Sequence, residues 1–186
     1  NLINMPMKLG NLLERWIKTG VSCTSQNSII LWDGSLTART NDNLTKTTAQ
    51  ILEIARNRLN TVLAFSKTTH IRLLGHRITD LTGHCKPPYL LQINEIPPTT
   101  GPIHFLGDIY VAKLAKSTWA FRLDIDREVL PEQQIEAVQR LLGNEILFYG
   151  YPETLRLAHI YSTFTATEVI GIQRYLTKQC KICLLY

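Results

Sequence analysis

The sequence predicts an α/β fold in which a mixed sheet is flanked by helices. Short apolar runs at residues 28–33 and 62–65 are typical of buried strands, and segments with helical spacing of apolar residues alternate with them. Two longer runs, 103–114 and 118–125, predict a β-hairpin with its turn at 115–117. With 186 residues, of which 45% are apolar, the chain can form one domain with a sizeable core.

The helices of the first half follow from the spacing of apolar residues. A first amphipathic helix is predicted over residues 5–18, with Gly20 as its stop signal. A second is predicted over 44–58, with an N-cap at 41–43, and residues 68–82 are expected to form a short helix or an irregular link. The stripe that predicts the first helix consists of Leu9, Leu12, Leu13, Trp16 and Ile17.

Prolines divide the second half. Pro131 opens a predicted helix to about residue 142, since proline is tolerated at a first helical position, and 146–148 is a brief apolar stretch. Pro152 opens another helix to about residue 163, and Thr165 caps a last one to about residue 178. The loop-rich middle of the chain is predicted from Pro87, Pro88, Pro97, Pro98 and Pro102.

Charge and hydropathy narrow the classes of function. A formal charge of +5 and a pI near 9.1 make nucleic acid the first partner to consider. No apolar run approaches the roughly 18 residues that a membrane span needs, so a membrane protein is not expected. Because the sequence starts at Asn1 rather than methionine, we expect that an upstream segment is missing from it.

The spacing of the four cysteines does not predict a metal site. Cys23 and Cys85 are isolated, and Cys180 and Cys183 form one CxxC pair. A structural zinc site usually needs a second such pair or histidines at matching spacing. The simpler interpretation is small core residues in a reducing cytoplasm, which is the location that we expect for the protein.

Asp33 ends the first predicted strand, in the stretch IILWDGSL. A carboxylate in the middle of a strand buried on both faces would lose several kcal/mol of solvation, but at the strand's end it can face water or a cation. Gly34 permits a sharp turn there, and Ser35 can hydrogen-bond the acid. We interpret Asp33 as a metal ligand at the edge of the sheet, and the alternative is a turn that merely ends the strand.

Three further stretches contain groups that could serve chemistry. In YGYPETLRLAHIY, Tyr151 precedes a helix start and His159 lies two turns in, although each could be an ordinary packed residue. In AFSKTTHIRLLGHR, Lys67 follows a strand, and a basic cluster there could hold phosphates or be a solvated face. In GNLLERW, Glu14 lies away from the leucine stripe, as a surface glutamate would.

The order and spacing of these stretches resemble the NurA nuclease family from about Leu9 to about Lys178. LLERW and IILWDGSL look like the family's second and third acidic motifs. FSKTTHIRLL is similar to its segment with a lysine after a core strand, and YPETLRLAH to its late motif of tyrosine and histidine eight residues apart. The combination in this order is more specific than any one motif.

The resemblance implies an RNase H-like fold and a manganese-dependent DNA nuclease, with Mg²⁺ as an alternative cation. It implies a homodimer that works with the hexameric translocase HerA, resects DNA ends with 5′-to-3′ polarity and cuts single strands. By position, Asp33, Glu14 and His159 would hold the metal, Tyr151 would complete the site, and Lys67 would position the phosphate. The predicted contacts to the DNA backbone are Lys67, Arg72, Arg77, Arg122 and Arg127.

One departure from the family bears on activity. The family carries a further aspartate at the end of a first strand, before the helix that holds Glu14, and this sequence begins after that point. We therefore expect a single nuclease domain over residues 1–186 that lacks its first strand and first acidic motif. Two alternatives stay open: a catalytically impaired DNA-end or translocase adaptor of the same fold, and a small structural module that binds no nucleic acid.

Overall fold

The apolar runs fold as strands, and the segments with helical spacing of apolar residues fold as helices. A computed structural model of the chain describes residues 5–39, 44–73, 75–82, 85–94 and 103–180. The helices there are α1 (Met5–Thr24), α2 (Leu44–Asn57), α3 (Pro131–Asn144), α4 (Glu153–Ser162) and α5 (Ala166–Cys180). The strands are β1 (Ile29–Asp33), β2 (Thr37–Arg39), β3 (Thr61–Ser66), β4 (Arg72–Leu73), β5 (His76–Arg77), β6 (Tyr89–Ile93), β7 (Ile103–Phe105), β8 (Gly107–Lys113), β9 (Phe121–Asp126), β10 (Leu147–Phe148) and β11 (Tyr151–Pro152).

Five strands form one mixed sheet in the order β1–β3–β9–β8–β6. The strands β1 and β3 are parallel, and every other neighbouring pair is antiparallel. The helix α2 connects the parallel pair, as a crossover between parallel strands requires. The predicted α/β architecture with a mixed sheet flanked by helices is therefore confirmed.

Side chains alternate between the two faces of a sheet along each strand. Both faces of this sheet carry apolar residues, and helices cover both. On one face, Ile30 and Trp32 of β1 and Ala64 of β3 pack against Ile51 and Leu52 of α2. The opposite face packs against α3 and α4 and forms the larger core cluster. Its central members are Leu63, Phe65, Leu123, Ile125, Val138, Leu141, Tyr151 and Leu155.

The first helix differs from its prediction in length and in the face that it buries. It continues past Gly20 to Thr24, and the buried residue of this added turn is Ser22, which is completely enclosed. A mid-helix glycine costs only about 1 kcal/mol, so packing overrides it. The described part of the leucine stripe is on the surface instead, where Trp16 is 74% exposed.

The predicted hairpin is confirmed for β8 and β9, but its first segment breaks at Leu106. The amide of Leu106 bonds to the carbonyl of Leu36, and β7 pairs with β2 in a separate two-stranded sheet. Gly107 then rejoins the main sheet so closely that a Cβ there would lie 2.8 Å from the carbonyl oxygen of Ile125. Only glycine fits this crossing without a shift of the neighbouring strand.

Short elements were the hardest to predict. Residues 68–82 contain the β4–β5 hairpin and a 3-10 helix over Ile78–Thr82. The loop-rich middle contains the edge strand β6 (Tyr89–Ile93), because prolines before it do not prevent pairing on one side only. The fourth helix starts at Glu153, since Pro152 pairs with Leu147 in the β10–β11 hairpin and serves as the N-cap.

The structure decides the predictions for the cap of α5 and for two of the cysteines, and some other predictions concern residues that it does not describe. Thr165 caps α5, since its Oγ1 accepts from the amide of Glu168 at 3.3 Å while the Glu168 carboxylate accepts from Thr165. The prediction of core cysteines is wrong for Cys23, which is exposed, and Cys85 is half-buried. The predictions for the N-cap at 41–43, for the prolines at 97, 98 and 102 and for Cys183 lie outside the described residues.

Candidate functional site

Asp33 lies at the carboxyl end of β1, where the parallel strands β1 and β3 end side by side. Asp33 is paired in register with Phe65, and the amide of Gly34 donates to the Phe65 carbonyl at 2.7 Å. Ser66 closes the turn by donating from its hydroxyl to the Gly34 carbonyl, also at 2.7 Å. Because the two strands end together, the residue after β3, Lys67, comes to the same edge as Asp33.

Asp33, Lys67 and Tyr151 meet at this edge. The Tyr151 hydroxyl donates to Asp33 Oδ1 at 3.1 Å across a separation of 118 residues. Lys67 Nζ lies 3.8 Å from Asp33 Oδ2 and 4.9 Å from the centre of the Tyr151 ring. The carboxylate is therefore oriented by a phenol and partly neutralised by an ammonium group, and both Asp33 and Lys67 keep almost half of their side chains exposed.

Tyr151 is held rigidly, although its hydroxyl serves the site. Its ring packs edge-on against Phe65 at 6.1 Å and lies 5.2 Å from the ring of Phe121, so only 6% of the residue is exposed. Burial is the main cause that raises the pKa of Tyr151 far above its usual value, and the charge and hydrogen bond of Asp33 add to it. The phenol therefore stays protonated and remains a donor.

A hollow of about 350 Å³ runs along β1 between α1 and α4, and Glu14, Asp33 and His159 all line it. Glu14 comes from α1, Asp33 from the end of β1 and His159 from the last turn of α4. Most of the remaining wall is apolar and includes Ile17 and Leu155. Three residues predicted as metal ligands thus border one space, although they are separated in sequence.

The carboxylates of Glu14 and Asp33 already have partners, which would compete with a cation in this hollow. Glu14 is paired with Lys18 at 2.6 Å, and Asp33 with Tyr151 and Lys67. Among the described residues, no three His, Cys, Asp or Glu side chains are close enough to form a cation site. Two carboxylates and an imidazole suit Mn²⁺ by type, but binding a cation there would require Glu14 to exchange Lys18 for it.

The predicted DNA contacts separate into exposed and buried residues. Arg72 and Arg77 pair across the exposed β4–β5 hairpin, and Arg127 is exposed with Asp108 at 3.4 Å. Arg122 is different, because it is 6% exposed and bonds to both oxygens of the buried Asp124 at 2.6 and 2.7 Å. It is committed to the interior, so we exclude it from the surface that could meet DNA.

Asp124 is a residue that the sequence interpretation missed. Its Oδ2 accepts from the amide of Leu36 at 2.9 Å, which fixes the turn that follows Asp33. The signal was present in FRLDID, where Arg122, Asp124 and Asp126 alternate with apolar residues and so share one face of β9. Charged residues that alternate within a strand predicted to be central indicate internal ion pairing rather than solvent.

Replacing Tyr151 with phenylalanine tests the phenol–carboxylate bond. We expect a loss of about 0.5–1.5 kcal/mol in the free energy of unfolding. Because the folded-state pKa of Tyr151 is raised, the stability it contributes is complete below its unfolded pKa of about 10 and is lost as the pH rises through the folded value. Urea denaturation should therefore show a difference between wild type and Tyr151→Phe that is constant near neutrality and shrinks in strong alkali. A difference in stability that does not change with pH would contradict the raised pKa of Tyr151 in the folded state.

Within the described residues no helix combines the length and hydropathy that a bilayer crossing needs. Comparison with protein-family models, with curated proteins and with solved structures finds no match to this chain.

Proposed function

We propose that this chain is a metal-dependent DNA nuclease domain of the NurA kind, which takes part in DNA end resection and repair. One observation carries the proposal: the residues that the family motifs single out meet at one edge of the sheet. Asp33, Lys67 and Tyr151 are in contact there. Glu14 and His159 border the same hollow as Asp33.

An RNase H-like fold is part of this proposal. Its support is a mixed five-stranded sheet with helices on both faces and an acidic residue at the end of a strand. Residues 1–186 would then form one nuclease domain.

Each side chain has a distinct role in the proposed reaction. Bound Mn²⁺ or Mg²⁺ would activate water and stabilise the leaving oxygen. Asp33, Glu14 and His159 would supply its ligands, and the Tyr151 phenol would orient the Asp33 carboxylate through its 3.1 Å bond. Lys67, with its ammonium exposed beside Asp33, would bind the scissile phosphate.

Backbone contacts to DNA are assigned to exposed cations. Lys67, Arg72 and Arg77 follow one another along the chain from the end of β3 into the β4–β5 hairpin. Arg127 follows β9, which is antiparallel to β3, and so lies at the opposite edge of the sheet from Asp33. Binding that relies on such contacts falls steeply as salt rises.

The proposed partners are DNA, a HerA-type translocase and a second copy of the chain. Support for a protein interface is the apolar surface of α4 and α5, where every described side chain from residue 157 to 179 is exposed. Large apolar patches of this kind mark association surfaces, and we assign this one to the homodimer. Its largest members are Ile160, Tyr161, Phe164, Val169, Ile170, Ile172, Tyr175 and Leu176. We place this assembly in the cytoplasm.

A second candidate is a catalytically impaired adaptor of the same fold that binds DNA ends or the translocase. The observation that favours it is the pairing of both carboxylates with lysines, Glu14 with Lys18 and Asp33 with Lys67. An ammonium group at each acid can substitute for a cation electrostatically. The adaptor would hold DNA without cutting it.

End-labelled DNA, digested with Mn²⁺ or with a chelator, separates the two candidates. The nuclease proposal expects cleavage only with Mn²⁺ and its loss in His159→Ala, whereas His104→Ala, which removes another exposed histidine, should cleave like wild type. Retention of labelled DNA without cleavage in any divalent cation would favour the adaptor. Absence of both binding and cleavage would exclude both.

A further inference from the structure

Two neighbouring loops expose three aromatic side chains beside the Asp33 site. Trp119, between β8 and β9, is 62% exposed, and Phe148 and Tyr149 of the β10–β11 hairpin are 52% and 63% exposed. Tyr149 is two residues from Tyr151, whose hydroxyl reaches Asp33. We call Trp119, Phe148 and Tyr149 the aromatic platform.

The two loops are fastened to each other. The Ser117 hydroxyl donates to the carbonyl of Tyr149 at 2.8 Å and accepts from the amide of Trp119 at 3.2 Å. Gly150 lies so near that a Cβ there would be 3.6 Å from Ser117 Oγ and from the ring of Phe121. The exposed rings are therefore carried by backbone that is held in place, so binding would cost little ordering entropy.

Tyr149 occupies a conformation that its own side chain disfavours. Its φ is 53° and that of Gly150 is 91°, so the two residues between β10 and β11 both have positive φ. Such two-residue turns favour Asn-Gly, and a bulky residue with positive φ is an outlier. Strain of this kind persists where the side chain serves a purpose other than folding.

Two exposed lysines lie near the platform and suit contacts with a polyanion. Lys116 is exposed in the same loop as Trp119, and Lys67 is exposed against the ring of Tyr151. The guanidinium of Arg156 lies 5.2 Å from the centre of the Phe148 ring, and its charge is balanced by the carboxylate of Glu153. Exposed aromatic rings interspersed with cations are the means by which proteins bind single strands, because every base has a face that can stack.

We propose that the aromatic platform binds the unpaired bases of a single nucleic-acid strand and leads its backbone to Lys67 and Asp33. The inference rests on the proposed nuclease function only for the fate of the strand, since binding itself requires no metal. Single-strand cutting is already implied by the family resemblance, and the platform adds to it the residues that would hold the bases. The bases stack on the rings while the lysines contact the phosphates.

The test is equilibrium binding of a labelled oligothymidylate of roughly 12 nucleotides, within the usual site sizes, in the presence of a chelator. Trp119→Ala should weaken binding by about 5- to 100-fold, the effect of losing one stacked base. Trp16→Ala, which removes an indole that is 74% exposed on α1, is the matched control and should bind like wild type. An abasic strand of equal length should bind weakly, and its affinity should be the same for wild type and for Trp119→Ala.

Tyr149→Asn provides an independent check that excludes misfolding. The turn favours asparagine at this position, so we expect the midpoint of urea unfolding to rise while affinity for the oligothymidylate falls. Unchanged affinity in Trp119→Ala, an equal loss on the abasic strand, or no binding by wild type would each overturn the platform. Binding through Trp119 without cleavage would retain the platform and remove the nuclease, and cleavage with unchanged Trp119→Ala binding would do the reverse.

Discussion

Replacing Asp33 with asparagine is expected to lower Mn²⁺-dependent DNA cleavage by roughly 100-fold or more, since that corresponds to only about 2.7 kcal/mol of lost transition-state stabilisation. The amide keeps the size of the carboxylate and one oxygen that can accept from Tyr151, but it lacks the negative charge that a divalent cation requires. Rates should be measured on end-labelled single strands with saturating enzyme.

The same substitution should scarcely alter the stability of the fold. Asp33 and Lys67 are 44% and 45% exposed and 3.8 Å apart, and ion pairs of this kind contribute less than about 1 kcal/mol. Asp80→Asn, at an exposed carboxylate of the 3-10 helix, is the matched control and should cleave like wild type. Undiminished cleavage by Asp33→Asn with normal unfolding would remove Asp33 from the chemistry.

The main elements of the fold were predictable because they depend on local periodicity. The strands β1 and β3 and the helices α2 and α3 lie within a few residues of their predicted bounds. Of the elements that were missed, the edge strand β6 is defined by its pairing with β8, whereas the β4–β5 hairpin is local but very short. A two-residue strand such as β5 has no periodicity to detect.

The sequence predicted the residues of the candidate site but not the contacts between them. The order of the motifs singled out Asp33 and Tyr151, and the sequence contains no signal for a bond between side chains 118 residues apart. The ion pair between Glu14 and Lys18 could have been expected from their i,i+4 spacing on a helix. The consequence, that this pair competes with a cation for Glu14, depends on the hollow between α1 and α4.

Charge alone misassigned Arg122, and the reason is topological. In the sequence, Arg122 and Arg127 are alike as basic residues that could contact the DNA backbone, although the first lies within the predicted strand 118–125 and the second follows it. In the sheet β9 lies between β3 and β8, so a side chain on its covered face is enclosed, whereas Arg127 follows the strand and reaches solvent. This difference gives the two arginines opposite expected effects when they are removed.

Arg122→Ala is expected to lower the free energy of unfolding by about 3–5 kcal/mol, whereas Arg127→Ala should cost less than about 1 kcal/mol. The first leaves Asp124, which is 1% exposed, without the cation that bonds to both its oxygens. The second removes an exposed partner of Asp108. Urea denaturation of the two variants under identical conditions is a matched comparison of a buried and a surface pair.

Acid should partly rescue Arg122→Ala. Burial is the main cause that raises the pKa of Asp124 in the folded state, while Arg122 and the amide of Leu36 lower it. Without Arg122 the folded pKa rises further above the unfolded value, so stability is retained below the unfolded pKa and is lost as the pH rises through the folded one. The destabilisation should therefore be smaller in mild acid than near neutrality.

The single variant Asp124→Ala and the double variant Arg122→Ala, Asp124→Ala complete a double-mutant cycle. Removing both charges leaves neither member of this pair buried without its partner, so the double variant should unfold at a higher urea concentration than Arg122→Ala alone, despite carrying two substitutions. The amide of Leu36 loses its acceptor, which limits the recovery and loosens the turn after Asp33. A loss in the double variant equal to the sum of the two single losses would mean that Arg122 and Asp124 act independently and would contradict the coupled buried pair.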